Sequence, residues 1–168
     1  MNYRVTAAAS MAGVIRTPRV EQRAELRVYA SDTGEDFDPE SLTSLLGIIP
    51  SKVMRRGDVL RSGRVRDVTV WWWETPERVE WDSEALVLEV LDAFEPVAEQ
   101  LAEAVRRWGL TLVIGLVTSM YGVIQADSDN EIGLDVATPA LAFSAETLRR
   151  LGRLGASIDV DLYVIAPE

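Results

Sequence analysis

The hydrophobic and polar positions of this chain follow two periods, one typical of strands and one typical of helices. From Arg23 to Ala30 apolar and polar residues alternate, which is the pattern of a half-buried strand. Further β-rich runs cover residues 67–74, 111–118, 121–125, 132–137 and 157–165. Helical spacing of apolar residues covers 83–108, with Ser83 as the predicted cap, and Pro96 is expected to kink this long helix or split it in two.

Two distant segments have nearly the same sequence, and each is typical of a helix start. Residues 37–45 and 143–151 both begin with phenylalanine, continue with a capping Asp or Ser, and place glutamate and leucine in the first helical turn. A strand-like run comes before each copy and another follows it. The repeat therefore predicts helices at 39–46 and 145–154, in equivalent places of two strand–helix–strand halves.

Together these elements predict a single α+β domain over residues 21–168, preceded by an N-terminal arm, residues 1–20. We expect a mostly antiparallel sheet with helices on one face, two pseudo-symmetric ferredoxin-like β-α-β halves and an inserted long helix. The arm is apolar and small, and free arms are usually disordered unless something holds them. We expect it to dock on its own sheet or on a second subunit, in a homodimer.

Composition narrows the possible chemistry of the 168 residues. The chain has no cysteine and no histidine, which excludes disulfides, thiolate nucleophiles, Cys/His zinc sites and imidazole acid–base catalysis. The net charge of −10 makes nucleic acid an improbable partner, and no run approaches the ~20 apolar residues of a membrane span. With a single lysine among its 17 basic residues, the chain has the composition of a GC-rich bacterial gene product. We expect a cytoplasmic protein without a cofactor.

Four stretches of the chain have distinctive sequences: Phe37 to Pro50, Arg56-Gly57-Asp58, Trp71 to Trp73, and Leu154-Gly155-Ala156-Ser157-Ile158-Asp159-Val160-Asp161-Leu162-Tyr163. Together they resemble a bacterial family of domains of unknown function. The resemblance covers about Arg23 to Tyr163. This chain departs from the pattern at Arg56, where lysine is frequent, and in an acidic insertion at residues 127–131. The resemblance supports the fold and implies no activity.

The segment 52–66 is rich in basic residues and contains turn signals. Arg55, Arg56, Arg61 and Arg64 are candidates for holding a phosphate or carboxylate ligand. Alternatively, these cations neutralise the acidic long helix of the same molecule or of a second subunit. In the run Trp71 to Trp73, Trp72 leaves the strand on the face opposite to its neighbours and is a candidate for binding through its ring.

A pair of carboxylates in the last strand is the best candidate for metal or acid–base chemistry. Asp159 and Asp161 leave the same face of the strand, roughly 6–7 Å apart. The alternative is a solvated strand face, or a pair bound by a nearby arginine. The acidic turn 127–131 lacks the glycine and glutamate of a calcium-binding loop and is expected to be an exposed turn.

Without the usual catalytic groups, a binding function is the leading hypothesis. We expect a non-catalytic protein-interaction module, similar in charge and size to immunity proteins that neutralise a basic toxin. One alternative is a module that binds a small anionic ligand through the loop 52–66. The other is an enzyme that depends on carboxylates or a metal at Asp159 and Asp161.

Overall fold

A computed structural model describes residues 18–30, 36–126 and 132–165 of the chain. Its strands are β1 (Arg19–Ala30), β2 (Lys52–Met54), β3 (Val70–Glu74), β4 (Arg78–Val79), β5 (Leu110–Tyr121), β6 (Val123–Ala126), β7 (Ile132–Asp135) and β8 (Ser157–Ile165). Its helices are α1 (Pro39–Leu46), α2 (Ser83–Phe94), α3 (Ala98–Trp108) and α4 (Ala145–Leu154). Of the predicted arm, only Pro18 to Val20 falls within the described residues, and the predicted acidic turn 127–131 lies outside them. The docking of the arm stays a prediction.

Six strands form one open mixed sheet, in the order β2-β3-β1-β5-β8, with β4 paired to β1 beyond the end of β3. The pairing of β5 with β8 is parallel, and the other pairings in this sheet are antiparallel. Strands β6 and β7 form a separate hairpin. The predicted α+β class with a mostly antiparallel sheet is therefore confirmed.

The connections between the strands are compatible with ferredoxin-like halves. Strands β1 and β2 are parallel to each other, with β3 between them, and α1 lies on the connection from β1 to β2. Strands β3 and β5 are also parallel to each other, with β1 between them, and α2 and α3 lie on the connection from β3 to β5. The long helical segment, α2 and α3, lies in the chain between the repeated helices α1 and α4. The repeated helix α4 connects the parallel neighbours β5 and β8. The equivalence of α1 and α4 in two similar halves stays a prediction.

The helix ends follow the local chemistry of the sequence, with one correction. Asp38 accepts a hydrogen bond from the backbone N–H of Ser41, and Ser144 accepts one from that of Thr147, so both predicted caps are confirmed. Helix α1 ends at Gly47, whose φ of 67° is the left-handed conformation that glycine adopts most easily. At α2 the cap is Asp82, and Ser83, predicted as the cap, is the first helical residue.

The predicted break of the long helix at Pro96 is confirmed, and helix α4 contacts the residues next to the break. Helix α2 ends at Phe94, residues 95–97 form one 3₁₀ turn, and α3 begins at Ala98. Arg150 of α4 binds Asp92 and Glu95, with its Nη2 2.5 Å from Asp92 Oδ1 and its Nε 2.7 Å from Glu95 Oε1. Helix α4 is thereby held against the end of α2.

The core lies between the helices and one face of the sheet. Large, fully buried side chains come from both layers: Leu26, Leu42, Trp71, Leu86, Leu91, Phe94, Leu101, Ile114 and Leu116. Trp71 and Trp73 both meet the ring of Phe94 edge to face, with centroids 6.1 and 5.4 Å away. The Trp71 indole donates to the hydroxyl of Thr43 at 3.0 Å, which satisfies its polar atom inside the core.

Candidate functional site

Charged side chains gather on the face of the sheet that points away from the core. The register places Glu25 of β1 opposite Glu74 on one side and Gly115 on the other, and Gly115 is in turn paired with Asp159 of β8. Arg23 and Arg27 lie on β1 itself, two residues before and two residues after Glu25. The resulting sheet cluster consists of Arg23, Glu25, Arg27, Glu74, Asp159 and Asp161.

Glu25 is the buried centre of the sheet cluster, with only 1% of its surface exposed. Its Oε1 lies 3.2 Å from Arg27 Nε, and its Oε2 lies 3.8 Å from Arg23 Nε. Burial raises the pKa of Glu25 above its usual value, because the charge of the two arginines only partly offsets the loss of water around the carboxylate. From the alternation in β1 we expected Glu25 on the polar side of a half-buried strand, and its full burial was missed.

One feature of the sequence could have indicated that burial. Gly115 stands alone in a run of bulky residues, and an isolated glycine in a strand often marks a place where another group approaches closely. A Cβ atom at residue 115 would lie 2.8 Å from Glu25 Oε1 and 3.0 Å from Arg27 Nη2. The missing side chain at Gly115 thus makes room for the ion pair above it.

Asp159 and Asp161 lie beside this ion pair. Arg27 Nη2 donates to Asp159 Oδ2 at 2.8 Å, so one member of the pair is bound by an arginine. Asp161 is half buried and adds its negative charge to the surroundings of Glu25. Within the described residues, no three carboxylates are placed so as to hold a metal ion together. A metal or catalytic role of the two aspartates stays a prediction.

A concavity of about 550 Å³ opens on the same face, next to Arg27 and Asp159. Trp72, a predicted binding residue, lines it together with Tyr29 and Met54. The ammonium group of Lys52 lies 5.8 Å from the centroid of the Trp72 ring, a cation–π distance. The outward tryptophan of the sequence therefore borders a recess in the sheet face.

The four predicted arginines of the loop 52–66 are not among the residues that line this concavity. Arg55 pairs with Glu40 of α1, and Arg56 donates from Nε to the backbone carbonyl of Asp67 at 2.6 Å. Arg61 and Arg64 are exposed and form no ion pair with the described part of the chain. A ligand-binding role of these residues stays a prediction.

Three acids of the long helical segment are paired with arginines from elsewhere in the same molecule. Arg78 pairs with Glu89, and Arg150 pairs with Asp92 and Glu95. Among the described residues of one chain, no ion pair joins the loop 52–66 to the long helix, and pairing with the long helix of a second subunit stays a prediction. The loop is joined instead to α1, through the pair of Arg55 with Glu40.

Strand β8 carries an exposed apolar surface along the edge of the sheet. Five of its side chains are among the exposed large apolar ones: Ile158 at 36%, Leu162 at 50%, Tyr163 at 52%, Val164 at 55% and Ile165 at 40%. One edge of β8 pairs with β5, and within the described ranges no strand pairs with the other edge. An unpaired strand with apolar side chains is a template for another strand.

Comparison with known proteins places the chain in a family. No helix in the described part of the chain is long and apolar enough to cross a membrane. No curated protein and no solved structure matches the chain. The family model described as Domain of unknown function (DUF4279) matches residues 23–165, which span all eight strands except the first four residues of β1. The chain belongs to the DUF4279 family.

Proposed function

We propose that this protein is a non-catalytic protein-interaction module, and that β8 binds the β8 strand of a second copy in antiparallel orientation. The observation that carries the proposal is the concentration of exposed apolar side chains on a strand whose outer edge is unpaired in the described structure. Single exposed apolar residues are common on protein surfaces, whereas five on one nine-residue strand favour a contact surface.

The sequence of β8 is self-complementary in one register. With Leu162 opposite its own copy, Val160 lies opposite Val164 and Asp161 lies opposite Tyr163. This register pairs apolar residues with apolar residues on the helix side of the sheet. Because residues that face each other across an antiparallel pair interact directly, this pattern stabilises the pairing.

The two registers centred nearer the start of β8 oppose carboxylates. Centring the pair on Asp161 places this residue opposite its own copy, and centring it on Val160 places Asp159 opposite Asp161. Like charges directly opposite each other are destabilising. Centring on Tyr163 avoids this conflict but pairs fewer residues of β8. The Leu162 register therefore joins most of the strand without opposing its acids.

The experiment compares two leucines of similar exposure. Leu162 is 50% exposed in β8, and Leu148 is 52% exposed in α4. We expect Leu162→Arg to be monomeric in sedimentation-velocity measurements at micromolar concentration, whereas the full chain and Leu148→Arg are dimeric. A monomeric full chain refutes the proposal, and so does a Leu162→Arg protein that remains dimeric.

A different protein, with a basic surface, is the second candidate for the partner. Exposed Glu99 and Glu103 on α3 form no ion pair with the described residues, and the chain has a net charge of −10. Such a complex would weaken as salt rises, since exposed charges are screened beyond about 8–10 Å at physiological ionic strength. The β8 dimer is held mainly by apolar contacts and is expected to change little between low and high salt.

A further inference from the structure

We propose that the concavity beside Arg27 and Asp159 binds a small organic cation with a planar apolar body. The site is separate from the proposed dimer contact in its chemistry, since it combines an aromatic wall with the carboxylate of Asp159. It involves residues of β1, β2, β3 and β8, so that the assembled sheet is needed to form it.

The walls of the concavity suit a flat apolar group. Trp72 and Tyr29 contribute aromatic rings, and Met54 and Val70 contribute aliphatic surface. A volume of about 550 Å³ falls within the range of about 300–1,000 Å³ usual for small-molecule sites, which are mostly apolar with a few polar groups.

The polar end of the concavity favours positive charge. Arg27 already contacts two carboxylates, those of Glu25 and Asp159, so its own charge is neutralised. The side chain of Asp159 is 54% exposed, and Arg27 is the partner of one of its oxygens, Oδ2. The second oxygen, Oδ1, has no partner among the described residues and can accept a hydrogen bond from a ligand.

The charges of the neighbouring sheet cluster also favour a cation. The sheet cluster contains four carboxylates and two arginines, and Arg23 is shared by Glu25, Glu74 and Glu77. A cation at Asp159 supplies positive charge to a cluster in which acids outnumber bases.

An anionic ligand is less well matched. It would have to compete with Glu25 and Asp159 for Arg27, and none of Arg55, Arg56, Arg61 and Arg64 lines the recess. Lys52 lies over the Trp72 ring but is not among the lining residues. The two classes of ligand therefore give opposite results with probes of the same shape and opposite charge.

The test uses benzamidine and benzoate, which share a ring and differ in charge. In ¹⁵N-labelled protein, we expect millimolar benzamidine to shift the indole N–H signal of Trp72 and to leave that of Trp81, which is not among the lining residues, in place. Trp72→Phe identifies the signal. Asp159→Asn is expected to weaken benzamidine binding at least about tenfold, which corresponds to ~1.4 kcal/mol. The control Glu103→Gln removes one exposed charge on α3 and is expected to bind benzamidine as the unaltered chain does.

Each possible result either supports or overturns the proposed cation site. Binding of benzamidine that depends on Asp159, without binding of benzoate, supports the proposal. Equal or stronger binding of benzoate shows an anion site and overturns it. Displacement of benzamidine by Mg²⁺ or Ca²⁺ together with loss of metal binding in Asp159→Asn assigns the site to a metal, which also overturns it. If neither probe shifts the Trp72 signal while circular dichroism shows a folded protein, the concavity does not bind this class of ligand.

Discussion

Glu25 and Gly115 face each other across β1 and β5, and the glutamate carboxylate occupies the space that a side chain at residue 115 would need. The pair explains how an acid with almost no exposed surface is accommodated in the middle of a sheet. Gly115 is therefore needed for close packing against Glu25 and not for a turn of the backbone.

We expect Gly115→Ala to destabilise the fold by about 1–3 kcal/mol, the usual cost of adding volume to a packed site. The new Cβ would lie 2.8 Å from Glu25 Oε1 and 2.9 Å from Glu25 Cγ, so the ion pair must move. The free energy of unfolding in urea measures the effect. Gly152→Ala is the control: it has open space in α4, and we expect it to stabilise by about 0.5–1 kcal/mol through helix propensity. Similar results for the two alanines would contradict the close approach at Gly115.

Glu25 also predicts a dependence of stability on pH. Its pKa is raised in the folded state, chiefly by burial, so the folded protein holds a proton that the unfolded chain releases near the ordinary value of 4.5. This group therefore contributes stability that is present below pH 4.5 and is lost as the pH rises through its folded pKa.

The variant Glu25→Gln isolates that contribution, because glutamine does not titrate. We expect the free energy of unfolding of Glu25→Gln, minus that of the unaltered chain, to increase as the pH is raised from below 4.5. Urea unfolding at a series of pH values measures the difference, in which the effects of other acids cancel. A difference that falls with rising pH would mean that the two arginines outweigh burial at Glu25.

The register proposed for the β8 dimer predicts a specific cross-link. Leu162→Cys should form an intermolecular disulfide under mild oxidation, because the two residues lie directly opposite each other within the 4.4–6.8 Å Cα separation usual for disulfides. The chain contains no other cysteine, so a covalent dimer on a non-reducing gel reports this contact alone.

Val164→Cys provides the matching control. In the same register it lies opposite Val160, roughly 13 Å along the strand from its own copy, and should not cross-link. The double variant Val160→Cys/Val164→Cys should cross-link, since each cysteine then faces the other. Cross-linking of Val164→Cys alone, with none from Leu162→Cys, would show a different register.

The hydrogen bonds of one buried glutamine, Gln22, are expected to contribute to the free energy of unfolding. Gln22 is fully buried; its Oε1 accepts from the hydroxyls of Ser83 and Thr118 at 2.9 and 3.0 Å, and its Nε2 donates to the backbone carbonyl of Glu80 at 2.7 Å. We expect Gln22→Leu to lower the free energy of unfolding by about 2–3 kcal/mol, because it leaves buried groups without partners.

Two further variants test the cause of that loss. Combining Gln22→Leu with Ser83→Ala and Thr118→Val removes both orphaned hydroxyls and should recover part of the stability. Gln100→Leu on α3, a partly exposed residue, should change the free energy of unfolding by less than about 0.5 kcal/mol. No recovery in the combined variant would mean that the loss arises from packing at residue 22.

Local signals in the sequence were sufficient for most elements. Asp38 with Pro39 and Ser144 with Glu146 specify helix starts through their own side chains, and the structure has α1 and α4 where these signals place them. The alternation in the last strand likewise gave β8 its observed bounds. These predictions succeed because their causes lie within a few residues of one another.

The site depended on contacts that no local pattern contains. Glu25 alternates like a surface residue, and its burial follows from Gly115, which lies 90 residues later and is brought opposite it by the β1–β5 register. The same holds for Arg27 and Asp159, 132 residues apart. The arginines of the loop 52–66 were predicted to bind a ligand because they are close in sequence. In the structure, Arg55 pairs with Glu40 and Arg56 donates to the backbone carbonyl of Asp67.

The order of strands along the chain has a consequence for its synthesis. All partners of β1 precede Gly122, and β1 and β5 pair along all twelve residues of each. A ribosome has therefore made the central part of the sheet before it reaches β8, and at about 5–20 residues per second it needs roughly 2–9 s to proceed from Tyr121 to Ile165. During that interval β5 is the outermost strand of the nascent sheet. Its unpaired edge, rich in valine, leucine and isoleucine, is then the surface most exposed to pairing with a neighbouring chain.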